Sequence, residues 1–177
     1  SIAWEAKESG IDLFLLANNH IMDKGKRGFL NTLDVYEEMG GRYIGAYRNS
    51  KEEKELNPAF FNIKGIRIAV LNFTYGTNLG SEKHWPKTNY MNDTSLINEA
   101  LRRSEDCDVT IALPHWGTEY ILHHSDEQEK EAVRLAENGA DIIIGAHPHV
   151  PQDFGTVTER QIPVAYSIGN CISNMSA

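Results

Sequence analysis

The chain has 177 residues, a net charge of −8 and acidic and basic residues interspersed, which suits one domain with a sizeable core and disfavours a broad nucleic-acid surface. Its apolar runs fall far short of the ~18 to 20 residues a membrane helix needs, and no charged start followed by an apolar core marks a signal peptide. Two cysteines, Cys107 and Cys171, make no disulfide framework and read as small buried residues at strand ends.

Ser1 to Gly10 reads as a helix feeding a strand, Ile11 to Leu16, which is apolar enough to be buried on both faces. After an Asn-Asn-His turn, Phe29, Leu30, Leu33, Tyr36 and Met39 keep helical spacing over Lys26 to Met39, and Gly40-Gly41 stops the helix. Arg42 to Ala46 reads as a short strand, and the charged segment Asn49 to Asn57 as a surface helix or loop. Ala59 to Ile63 and Ile66 to Thr74 flank Lys64-Gly65 and predict a hairpin, so the sheet is mixed. Tyr75 to Asp93 lacks periodicity and reads as a functional or flexible loop. Asp93 can cap a helix over Thr94 to Ser104, and Val109 to Leu113 is a buried strand running out at His115. Ser125 and Gln128 form a capping box before a helix that ends at Gly139. Ile142 to Gly145 is a strand running out at His147, and Phe154 to Thr158 and Pro163 to Ile168 read as an antiparallel pair.

Asn19, His20, His115, His147 and His149 thus fall where parallel strands end, the place where open α/β sheets bind ligands. Neutral imidazole is the commonest protein metal ligand, and several together suit zinc, iron, copper or nickel. His147-Pro148-His149 in extended backbone would turn both imidazoles to one side, and Gly145-Ala146 ahead of them would let backbone approach closely. His115 taken alone fits equally well a half-buried histidine bonded to backbone. Glu119, four residues on, is either a carboxylate orienting an imidazole or a solvated charge. Asn19 offers a carbonyl ligand and His20 a general acid, although a turn or helix cap also explains Asn19. Asp23 either caps the next helix or holds one tautomer of His20. His84, His123 and His124 read as surface residues.

L-A-N-N-H-I-M-D-K-G, N-F-T-Y-G-T-N, H-W-G-T-E-Y, G-A-H-P-H-V and A-Y-S-I-G-N, in this order, resemble the motifs of CapA-type poly-γ-glutamate capsule-synthesis proteins over essentially the whole chain. That family is similar to the calcineurin-like metallophosphoesterases. The resemblance implies an αββα sandwich with a mixed sheet and a two-metal site. Asn19, His115, His147 and His149 would be ligands to divalent zinc, manganese or iron, and His20 the catalytic acid. It also implies a polyanionic polymer, a small phosphoester or a γ-glutamyl compound as substrate, capsule-synthesis membrane subunits as partners, and the bacterial cell surface as location. The alternative role is a non-catalytic polymer-binding or assembly component on the same scaffold. A third reading is a plain α/β domain with structural histidines.

One departure matters. The family's early Gly-Asp strand, which would supply the metal-bridging acid, finds no match before Asn18, and Asp12 lies too early in its strand. The 177 residues are therefore expected to form a single domain, the larger C-terminal part, with one or two N-terminal strands and any membrane anchor outside it. The four remaining ligands could hold one ion, or the site could stand empty. The strands ending at Leu16, Leu113 and Gly145 are expected to be sheet neighbours, with the four ligands converging.

Overall fold

The computed structural model describes residues 2–80 and 84–171. In chain order the elements are α1 (Ile2–Glu8), β1 (Leu13–Leu15), α2 (Gly25–Glu38), β2 (Arg42–Ile44), β3 (Ala46–Tyr47), α3 (Ser50–Leu56), β4 (Ala59–Ile63), β5 (Ile66–Thr74), β6 (Lys87–Thr88), α4 (Thr94–Arg103), β7 (Val109–His115), α5 (Asp126–Glu137), β8 (Ile142–Ile144), β9 (Phe154–Val157) and β10 (Ile162–Ala165). Ser1, expected to open the first helix, and residues 81–83 of the expected loop lie outside the described residues.

Local chemistry accounts for the element ends. Lys64 and Gly65 both take positive φ, which lets the β4–β5 hairpin close in two residues. The Asp93 carboxylate accepts from the Leu96 amide at the start of α4. Ser125 and Gln128 make the reciprocal box that starts α5.

The central sheet has six strands in the order β4-β5-β7-β8-β10-β9, parallel from β5 to β10 and antiparallel at both edges. On β7, Thr110, Ala112 and Pro114 are buried, and alternation sends them to one face. There Leu71, Phe73 and Ala112 join Ile97 and Leu101 of α4 and Leu135 and Ala136 of α5 in the main core. The opposite face carries Val70, Ile68 and Leu113, which pack with Leu13 and Ile44 from β1 and β2. Those two strands pair parallel in a separate sheet, and α2 covers them through Phe29 and Leu33. The layers therefore run helix, two-stranded sheet, six-stranded sheet, helices, as the mixed αββα sandwich requires.

Four expectations change, the first being that β1 is not buried on both faces: Leu13 and Phe14 are half-buried and Leu15 is exposed. The strand at Leu16 does not neighbour those at Leu113 and Gly145. Among the described residues its one ladder is to β2, and it lies across the sandwich from β7. The segment taken for an aperiodic loop contains β6, which pairs with β3. Neither cysteine is buried: Cys107 is half-exposed in the turn before β7 and Cys171 is exposed.

Two positions hold the layers in register beneath the strand ends. Buried Asn72 on β5 accepts from the Ala17 amide and donates to the Leu113 carbonyl, both at 2.8 Å, so one side chain ties the end of β1 to β7. Gly145 lets the chain pass where Trp116 Nε1 donates to the Tyr166 carbonyl at 2.8 Å; a Cβ there would fall on both of those atoms. Gly145→Ala should therefore cost on the order of 3 kcal/mol, the upper end of ordinary overpacking, because backbone must move. Urea unfolding measures this, and an unchanged midpoint would remove the close-approach argument.

A candidate metal centre at the strand ends

Parallel register brings the site together. β5 and β7 run in step to Thr74 and His115, and His115 forms a further bridge with Ala146 beyond β8. His147 therefore emerges beside His115, with ring centroids 4.8 Å apart. From across the sandwich the turn after β1 brings in Asn19, which is buried, and its Oδ1 lies 2.9 Å from His115 Nε2.

His147-Pro148-His149 is not extended as the sequence suggested. His147 has φ +106° and His149 φ +64°, so the segment is a turn. Its two rings are nonetheless close, with centroids 6.2 Å apart. Positive φ at two histidines costs backbone energy, of a kind that clusters at functional sites. Gly117 and Tyr120 also take positive φ and fold the segment after β7 back, and the Tyr120 amide donates to the Pro148 carbonyl at 2.8 Å. Glu119 is thereby carried to the histidine pair. The imidazole it stands beside is that of His149, whose Nε2 lies 3.8 Å from Glu119 Oε1. One donor atom each from Glu119, His147 and His149 fall within 4.8 Å of one another.

The protonation pattern suits a cation. Burial, reinforced by the neighbouring His147, His20 and His149, holds His115 down at a pKa of about 3, so its ring is neutral near pH 7. Burial lowers that of His147 as well, against the Glu119 charge. His149 Nδ1 donates to Asn170 Oδ1 at 3.0 Å, which leaves Nε2 with its lone pair towards Glu119. His147 Nδ1 is buried without a hydrogen-bond partner. Buried polar atoms are nearly always satisfied, so an orphan among nitrogen and oxygen donors fits a coordinated ion. Asn19, His115, Glu119, His147 and His149 are the residues that could hold one.

Beside them, His20 Nδ1 bonds Asp23 Oδ2 at 2.7 Å, and that bond holds the Asp23 carboxyl below its usual range. Asp23 thus serves the tautomer rather than capping α2, whose N-cap is Lys24. Of the histidines read as surface residues, His84 and His123 are exposed, whereas His124 is half-buried. Its ring stacks 3.8 Å from that of Tyr166 and its Nδ1 bonds Asp153 at 2.9 Å. Three contributors went unassigned in the sequence reading. Asn170 orients His149, Asn78 touches both Asn19 and Asp23, and Tyr75 packs 4.8 Å from the His147 ring. Asn78 and Asn170 end two of the quoted motifs, which was the available signal.

The fold and donor set define a layered α/β protein with a histidine-rich cluster at the carboxyl ends of its central strands. The chain belongs to the family described as bacterial capsule synthesis protein PGA_cap, whose model matches residues 1–175. It is 35% identical over 172 residues to the capsule biosynthesis protein CapA of Bacillus anthracis, covering 94% of this chain and 41% of that protein. It is 30% identical over 173 residues to the PGA biosynthesis protein CapA of Bacillus subtilis, with 94% and 43% covered. The chain thus spans less than half the length of these relatives. Among solved structures, a novel phosphatase from Mycoplasma pneumoniae aligns with a TM-score of 0.54 at 18% identity, over 92% of this chain and 52% of the other. A hypothetical protein from Thermus thermophilus gives 0.53 at 17% identity, over 92% and 55%. Those two likenesses speak for the fold alone. No helix among the described residues is long and apolar enough to cross a membrane.

Proposed function

We propose that this chain forms the metal-binding part of a CapA-type protein working in poly-γ-glutamate capsule synthesis at the bacterial cell surface, with hydrolase-like chemistry on a phosphoester or γ-glutamyl substrate. The observation that carries this reading is the gathering of Asn19, His115, His147, His149 and Glu119 at one end of the sandwich. A divalent cation, zinc, manganese or iron, would supply Lewis acidity that stabilises negative charge developing on a neighbouring oxygen. The residues themselves orient donors, keep the His115 and His147 rings neutral through burial, and place His20 beside Asn19. A polyanionic chain approaching a protein of net charge −8 needs such a local positive centre. Capsule-synthesis membrane subunits, and an anchor elsewhere in the protein, belong to the same proposal.

The domain is proposed to be completed by further strands. The inner face of the six-stranded sheet is thinly covered: Ile111, Leu113, Ile142 and Ile144 are only half-buried and Leu15 is 41% exposed. Two clefts of about 520 and about 390 Å³ open along it, the first beside Leu13 and Ile111 and the second beside Leu15, Leu113 and Ile144. Strands added beside β1 would cover this face and could bring a bridging carboxylate. A non-catalytic, polymer-binding role is the second reading. It is favoured by the donor set itself, in which Glu119 is the one carboxylate of the metal-type cluster found among the described residues.

The test is elemental analysis of the purified protein, followed by turnover assays on phosphoester and γ-glutamyl substrates. Near-stoichiometric metal with turnover of either class is expected. Metal without turnover would favour the binding role, and failure to take up metal would return the histidines to structural duty.

A further inference from the structure

Asn78 lies in the segment after β5, and its backbone amide donates to the Asn19 carbonyl at 2.9 Å. Its side chain contacts three groups of the site: Asn19, Asp23 and, with Nδ2 3.1 Å from Nδ1, His20. Asn78 Oδ1 accepts from Asn19 Nδ2 at 3.2 Å, and Asn78 Nδ2 donates to Asp23 Oδ1 at 3.2 Å. The other Asp23 oxygen accepts a hydrogen bond from His20 Nδ1 at 2.7 Å. The contacts form one chain: His20, Asp23, Asn78, Asn19, His115.

The chain has a direction. An ionised carboxylate only accepts, whereas an amide has one accepting and one donating end and can be turned either way. Asp23 therefore dictates that Asn78 presents its NH₂ to the carboxylate and its oxygen to Asn19. Asn19 must answer with its NH₂, which leaves its own Oδ1 facing His115. Turned the other way, Asn19 would aim an NH₂ group, which is no ligand, at the metal position. His20 Nε2, 3.3 Å from Asn19 Nδ2, is compatible with the same orientation as an acceptor.

We propose that Asn78 is a positioning residue that transmits the polarity of Asp23 to Asn19, so that the Asn19 side chain offers oxygen, not nitrogen, to the metal. This rests on the metal reading above. Asn78 is itself exposed and contributes nothing to the buried core, so its removal can be read without confusion with unfolding.

The test is a double-mutant cycle on zinc affinity, measured on this chain by competition with a chromogenic chelator. Asn78→Ala should weaken zinc binding about 10- to 100-fold, the range for partners that orient ligands. In an Asn19→Asp background the same change should cost no more than about twofold, the scatter of uncoupled sites, because a carboxylate offers an oxygen whichever way it turns. An equal loss in both backgrounds would mean general structural damage and overturn the proposal, as would no loss beside native Asn19. If Asn78→Ala loses its thermal transition, Asp23→Asn on the rim serves instead: it removes the acceptor-only partner, should also weaken zinc binding, and unchanged affinity overturns the proposal. Wild type that binds no zinc overturns the metal reading and this inference together. Wild-type binding with an indifferent Asn78 overturns the inference alone.

Discussion

Changing His147 and His149 together to alanine is expected to abolish zinc binding. One donor atom from each of the two imidazoles and one from Glu119 lie within 4.8 Å of one another. The buried, unpartnered Nδ1 of His147 has no evident structural task. His149 is held by Asn170 in the tautomer that frees Nε2. Losing both should exceed the roughly 10- to 100-fold effect of removing groups that merely orient ligands. Calorimetric titration of wild type and variant, with circular dichroism to confirm that both are folded, decides the matter. Unchanged affinity would count decisively against the assignment.

Much of this site could be read from sequence because strand ends can be read from sequence. Short apolar runs bounded by turn residues located β5, β7 and β8, and the histidines at the ends of β7 and just beyond β8 were then at the same end of a parallel sheet by the rules of that architecture. The Ser125–Gln128 box and the Lys64-Gly65 turn fixed a helix start and a hairpin, since each depends on neighbours in the chain alone. What escaped depends on contacts distant in sequence. An apolar run such as Leu13–Leu15 looks the same whichever sheet it joins, and its partner Arg42–Ile44 was recognised only as a strand. The spacing between His115 and Glu119 left open whether Glu119 orients an imidazole or is a solvated charge. Positive φ at Gly117 and Tyr120 turns that segment toward the Pro148 carbonyl and delivers Glu119 to His149. The turn at His147 and His149 ran against the extended preference that Pro148 implies for its predecessor, an override that only the surrounding packing can impose.

The other large effect concerns the proton. His20→Ala, in the full-length protein, should keep its metal and lose most of its rate. Asp23 holds Nδ1, so Nε2 is the nitrogen left to exchange a proton with a leaving group. That atom faces Asn19 Nδ2 at 3.3 Å, a weak contact that a protonated Nε2 would give up for the leaving-group oxygen. The side chain is 61% exposed, so its removal leaves the core intact, and it is Asn19 and not His20 that turns to His115. Loss of a general acid typically lowers the rate about 10²- to 10⁴-fold. The measurement is turnover of phosphoester and γ-glutamyl substrates by wild type and variant, with bound metal quantified in both. Equal rates at equal metal content would exclude the acid role. A parallel fall in rate and metal would instead show that His20 serves to hold Asn19. If metal-loaded wild type turns over neither substrate class, the scaffold binds polymer rather than cutting it.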